Sequence, residues 1–206
     1  MTPRDALQRL VDGNRRFYTH SSALEARAFS ADLAEKPQRP FAIVLGCSDS
    51  RTPVEIVFDA GFGEIFVVRI AGNIVAPSIV GSIEFAASRF GTGLVLVLGH
   101  TQCGAIDAAV NVTRNGAVEE SKNMRDLTDR IAPHIKSMVR ASGMSDAELL
   151  REAMRTNVRA SVNQLRHGSR MLEEMVRSGS LAVVGAEYEL HSGQVHLLDR
   201  LPPSLS

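Results

Sequence analysis

Phe41-Ala-Ile-Val-Leu-Gly46 is a short apolar run that leads straight into Cys47-Ser-Asp49-Ser-Arg51. Leu94-Val-Leu-Val-Leu98 leads in the same way into Gly99-His100-Thr-Gln-Cys103-Gly104. Continuous apolar runs bounded by Gly and Pro suit strands buried on both faces of a parallel sheet. Glu64-Ile-Phe-Val-Val-Arg-Ile70 and Leu181-Ala-Val-Val-Gly185 read alike. Between them apolar residues recur at helical spacing, Ile79, Val80, Ile83, Ala86, Ala87 and Phe90 in one stripe and Ile106, Ala109 and Val110 in another. Strand and helix alternate, which predicts an α/β fold with a mainly parallel central sheet flanked by helices.

The flanks carry clear punctuation. Thr2 is an N-cap, Pro3 fits the first helical position and Asp5 the first turn, with Leu7, Leu10, Val11 and Phe17 on one face. A polar stretch from Thr19 to Arg39 follows. From Lys122 the pattern is helical for about fifty residues, with Pro133 expected to break or kink it. Ser145 and Glu148 form a capping box ahead of Leu149, Leu150, Ala153, Met154, Val158, Val162 and Leu165. Residues 187–190 and 195–198, around a His191-Ser-Gly193 turn, read as a hairpin that adds an antiparallel edge strand.

Composition narrows the function classes. The chain has 206 residues, enough for one domain, and 23 basic side chains against 23 acidic. With the basic residues scattered among acids there is no electrostatic footprint for nucleic acid. No stretch approaches the 18 or so apolar residues of a membrane span, and the N-terminus lacks the apolar core of a signal peptide, so a cytoplasmic protein is expected. Two cysteines are a meagre disulfide frame for this length, which points to metal binding or catalysis.

Cys47, His100 and Cys103 all stand at the carboxyl ends of predicted strands, where open α/β sheets bind ligands. Two thiolates and an imidazole are a good zinc set, and three protein ligands leave the open position of a catalytic site. Rival readings fail on particular residues. Gly99 and Gly104 have phosphate-loop spacing, but Ala105-Ile106 replace the Lys and Ser/Thr. Cys47 and Arg51 are too close for a cysteine phosphatase loop, and there is no Gly-x-Ser-x-Gly elbow. Gly91-Thr-Gly93 precedes a strand instead of following one, so it is no dinucleotide fingerprint. The methionines, among them Met138, Met154, Met171 and Met175, follow helical stripes and read as core.

Cys47-Ser-Asp49-Ser-Arg51 with His100-x-x-Cys103 resembles the β-class carbonic anhydrases. The resemblance runs on through Phe66-Val-Val-Arg69, Ala71-Gly-Asn73, Gly81-Ser-Ile-Glu84, Asn157-Val-Arg159 and Val184-Gly-Ala-Glu-Tyr188. It implies a single domain over 1–206, with a helical arm at 1–36 and an α/β core at 41–206. It also implies N-terminal helices packed on a partner subunit, in a homodimer or homotetramer. The implied activity is reversible hydration of carbon dioxide to bicarbonate by attack of zinc-bound hydroxide. One Zn2+ per chain would be held by Cys47, His100 and Cys103. Asp49 would orient the nucleophile when paired with Arg51, or close the site by binding zinc itself. The backbone N–H of Gly104 would help hold bicarbonate.

Two departures qualify that implication. Ala60, in Phe58-Asp59-Ala60-Gly61, stands where relatives carry a glutamine, which predicts a less polar pocket. The bicarbonate-inhibited branch has a tryptophan three residues before the first zinc cysteine, where this chain has Val44. Two alternatives keep the same metal ligands: a hydrolase of carbon disulfide or carbonyl sulfide, and a silent zinc protein acting as an oligomeric partner.

Overall fold

The computed structural model describes residues 1–20, 33–35, 37–116, 121–141 and 143–198. Most of the polar stretch at 19–39 and the chain end beyond 198 lie outside them. Five strands, β1 (Ala42–Gly46), β2 (Ile65–Arg69), β3 (Leu94–His100), β4 (Ala182–Tyr188) and β5 (Val195–Leu197), form one sheet in the order β2-β1-β3-β4-β5. The first four are parallel and β5 is antiparallel to β4.

Side-chain alternation divides the core into two layers. Ile43, Leu45, Val95, Val97 and Val183 face one way, onto α3 (Pro77–Phe90), α4 (Gly104–Asn115), α5 (Lys122–Ala141) and α6 (Asp146–His167). Val44, Leu94, Leu96, Leu98 and Val184 face the other, onto α1 (Pro3–Tyr18) and the single turn α2 (Val54–Val57). With helices on both faces, every residue of β1, β3 and β4 is buried, which is why these strands read as continuous apolar runs.

Helix ends follow the sequence. Thr2 and Asp5 close a capping box on α1, Ser145 and Glu148 one on α6, and α3 and α4 stop at Gly91 and Gly116, both left-handed. Ala6, Leu7 and Leu10 of α1 pack on the chain's own sheet. Asn14 on the same helix donates to the carbonyls of Val57 and Gly193 and accepts from the Val195 N–H, joining α1, α2 and β5. Two expectations change. The fifty-residue helical stretch is α5, α6 and α7 (Arg170–Arg177), and α5 runs through Pro133 without a break, its buried Ile131, Ile135 and Val139 holding both sides to the core. The terminal hairpin has no strand of its own at 187–190: β4 continues to Tyr188 and is itself the partner of β5. Met154 is core as expected, whereas Met171 is exposed. Among the described residues, no helix is long and apolar enough to cross a membrane.

Candidate metal centre

β1 and β3 are far apart in sequence but adjacent and parallel in the sheet, with Gly46 level with Leu98. Their carboxyl ends therefore deliver Cys47 and His100 to one place, and Cys103 arrives as the residue capping α4. Sγ of Cys47 and Sγ of Cys103 are 3.9 Å apart, and one ligand atom from each of Cys47, His100 and Cys103 lies within 4.8 Å of the others. All three residues are buried and neither cysteine is in a disulfide.

The donor set fits a metal on its own evidence. His100 is 1% exposed, and its Nδ1 is 2.9 Å from the Thr101 carbonyl. A carbonyl only accepts, so Nδ1 carries the proton and Nε2 presents a lone pair. That buried Nε2 has no hydrogen-bond partner, the condition of a ligand atom awaiting a cation. The sulfurs are chemically coupled. The hydrogen bond with Cys103 holds the Cys47 thiol well below its ordinary range against the effect of burial, and the Gly72 N–H adds to it. The same bond and burial push Cys103 up.

Asp49 stands apart from this group, turned to Arg51. The Arg51 Nε and Nη2 reach its two oxygens at 2.9 and 2.8 Å, and the Arg51 backbone N–H adds a third bond at 2.9 Å. The guanidinium, as the largest influence, holds the Asp49 carboxyl well below the usual carboxylate range. Its Oδ2 is still only 4.0 Å from His100 Nε2. Arg51 also reaches the Gln102 carbonyl at 3.4 Å, tying the loop after β1 to the loop after β3. Gln102 itself has φ 58°, a left-handed turn that lets the chain reverse between His100 and Cys103.

Gly104 begins α4, where backbone N–H groups lack helical partners, and a Cβ on it would meet nothing within 4 Å. A cavity of about 320 Å³ lies there, against Gln102, Cys103, Gly104 and Leu150. Ala60 is buried in the wall of a different cavity, with Ile56, Phe62 and Ile65. Val44 is fully buried within β1.

Three further residues, without a role in the motifs above, shape this centre. Arg69, at the end of β2, donates to the carbonyls of Cys47 and Asp49 at 2.9 and 2.6 Å. Gly72, in a 3-10 turn at Ala71–Asn73, points its N–H at Cys47 Sγ from 3.3 Å. Asn157 donates to the Gly72 carbonyl from α6. The available signal was an asparagine set inside an apolar stripe, between Ala153, Met154, Val158 and Val162.

The carbonic anhydrase family model matches residues 42–195, a span that contains Cys47, His100 and Cys103. The chain belongs to the β-class carbonic anhydrase family. A carbonic anhydrase of Mycolicibacterium smegmatis is 37% identical over 97% of this chain and 95% of its own. Carbonic anhydrase 2 of Mycobacterium tuberculosis is 35% identical over 97% and 94%. In fold, the chain is similar to a tetrameric β-carbonic anhydrase of Sordaria macrospora, with TM-score 0.73 and 20% identity over 96% and 99% of the two chains. The Coccomyxa β-carbonic anhydrase solved with acetazolamide has TM-score 0.73 and 22% identity over 94% and 86%.

Proposed function

We propose that this chain hydrates carbon dioxide reversibly to bicarbonate and a proton at one zinc ion per chain, held by Cys47, His100 and Cys103. The observation that carries the reading is the convergence of three buried ligand atoms within 4.8 Å while Asp49 is held off on Arg51. Three protein donors leave a position for substrate chemistry; four would make a closed structural site. When bound, zinc supplies Lewis acidity, making water acidic enough to furnish a nucleophile near neutral pH.

The protein's own groups do the rest. Thr101 fixes the His100 tautomer through its carbonyl, so that Nε2 is the donor atom. Asp49, ionised and immobilised by Arg51, accepts a hydrogen bond from the attacking water and fixes its lone pair toward carbon. A carboxylate left free by Arg51 would instead occupy the vacant coordination position. The Gly104 N–H, first in α4 and so without a helical partner, stands at the positive end of the helix, a suitable donor for a bicarbonate oxygen. Two thiolates offset much of the cation's charge, so the rate should climb on the alkaline side of neutrality.

We further infer that the chain assembles with copies of itself, as a dimer or tetramer, within the cytoplasm. Among the described residues β2 has a free edge, and Phe62 and Phe85 beside it are 63% and 53% exposed. Stopped-flow hydration by zinc-loaded protein, from about pH 6.5 to 9, tests the activity. Turnover that rises with pH supports it. No turnover with one zinc bound per chain would shift the reading to a sulfide hydrolase or a silent partner, and a plateau already reached at the acid end would remove the charge argument.

A further inference from the structure

Asn157 is 2% exposed, on the apolar face that α6 turns toward the sheet. A buried amide is costly there unless its donors are used. Its Nδ2 donates to the Gly72 carbonyl at 2.8 Å, and Ser161, one helical turn on, donates to the Asn73 carbonyl at 3.1 Å. Two consecutive carbonyls of the 3-10 turn are thus gripped by one face of one helix. The peptide on the other side of Gly72 presents its N–H to Cys47 Sγ. Gly72 has φ +67°, and a Cβ there would lie 2.9 Å from Ile131 Cδ1 and 3.1 Å from Ala105 Cβ, so the turn is wedged between α5 and α4. Glycine has the widest choice of backbone conformations, so the orientation of its N–H depends on what holds the adjoining peptide.

We propose that Asn157 is a positioning residue for Cys47: by fixing the Gly72 carbonyl it keeps the Gly72 N–H on Cys47 Sγ, and so sets how strongly that sulfur donates to a bound metal. The inference rests on the metal-centre reading above. A hydrogen bond to a thiolate withdraws charge from it, and outer partners of this kind tune a metal as well as orient its ligands. Ser161 holds the neighbouring peptide, which carries no group to the sulfur, and so serves as the internal comparison.

Cobalt(II) in place of zinc reports the sulfur directly, through its thiolate-to-metal charge-transfer absorption. Asn157→Leu keeps roughly the side-chain volume but removes the donor and adds no charge. In the cobalt-loaded protein it is expected to move that absorption to lower energy and to weaken cobalt binding about tenfold, the lower end for loss of an outer partner. Ser161→Ala should leave the band in place. An unmoved band in folded, cobalt-loaded Asn157→Leu, or an equal shift in Ser161→Ala, overturns the proposal. Asn157→Ala is the substitute should the leucine variant not fold. In the unmodified protein loaded with an NMR-active cadmium isotope, the Gly72 amide proton should show coupling to the metal through the sulfur, and its absence also overturns the proposal. Failure of the unmodified protein to bind cobalt would count against the metal-centre reading, a result distinct from either.

Discussion

Arg51 holds both carboxylate oxygens of Asp49, at 2.9 and 2.8 Å, while the same carboxylate lies only 4.0 Å from the ligand nitrogen of His100. On the function proposed above, a small rotation separates a carboxylate that serves the substrate from one that blocks it. Arg51→Ala should lower carbon dioxide hydration about 10- to 100-fold, the usual range for loss of a partner just outside a metal's ligands. Arg51→Lys should rescue little, because an ammonium cannot take both oxygens in the planar fork. Wild-type rates in Arg51→Ala would sink the idea.

Gly13 sets two effects against each other. Alanine in the middle of α1 would gain about 1 kcal/mol in helix propensity. A Cβ there, however, would sit 2.0 Å from the Phe58 carbonyl oxygen, a backbone atom that cannot rotate aside. Overpacking costs about 1–3 kcal/mol. The clash should win, and Gly13→Ala should show a lower urea midpoint than wild type; an unchanged or higher midpoint would mean that α1 shifts freely on the sheet.

Glu187 is fully buried on β4, with Arg151 and Arg155 each donating to one of its oxygens at 2.7 Å. Removing both arginines would leave a buried carboxylate without a partner, a loss of about 3–5 kcal/mol. Glu187→Gln, which removes the charge and leaves the arginines partly in water, should cost less. Urea unfolding of Arg151→Leu/Arg155→Leu beside Glu187→Gln checks the order, and the reverse order would show that the arginines, not the carboxylate, carry the penalty.

The Ser145 cap makes a pH prediction. Hydrogen bonds from the Ser145 side chain and backbone lower the Glu148 carboxyl from its ordinary 4.5. A depressed acid contributes stability that is present above its unfolded value and lost as pH falls through the folded one. Ser145→Ala should therefore lower Tm at neutral pH, with the gap to wild type narrowing below pH 4.5. A gap constant with pH would mean that the serine acts without Glu148.

Much of this was legible in the sequence because burial on both faces leaves an unbroken apolar run. The four parallel strands and the Thr2 and Ser145 caps follow from such local signals. Cys47, His100 and Cys103 could be placed together because β1 and β3 end in chemistry and parallel strands align their ends. Arg69, Gly72 and Asn157 show no such signal of their roles, since each acts through a backbone group that the fold brings near, the carbonyls that Arg69 and Asn157 reach and the N–H of Gly72 itself, and sequence periodicity says nothing about that. The passage of α5 through Pro133 is tertiary as well, its apolar residues on either side outweighing one missing hydrogen bond.

Asn14 joins the first helix to the last strand of the sheet. Contacts that span nearly a whole chain carry the largest loop-closure cost. The two ends of the described fold are thereby tied: β5 cannot peel from β4 without also breaking the hydrogen bonds of Asn14 on α1. A strand of three residues at a sheet edge would ordinarily fray, yet the Val195 amide, held by a side chain from the opposite end of the chain, should exchange its hydrogen at the pace of α1 and not of a loose tail.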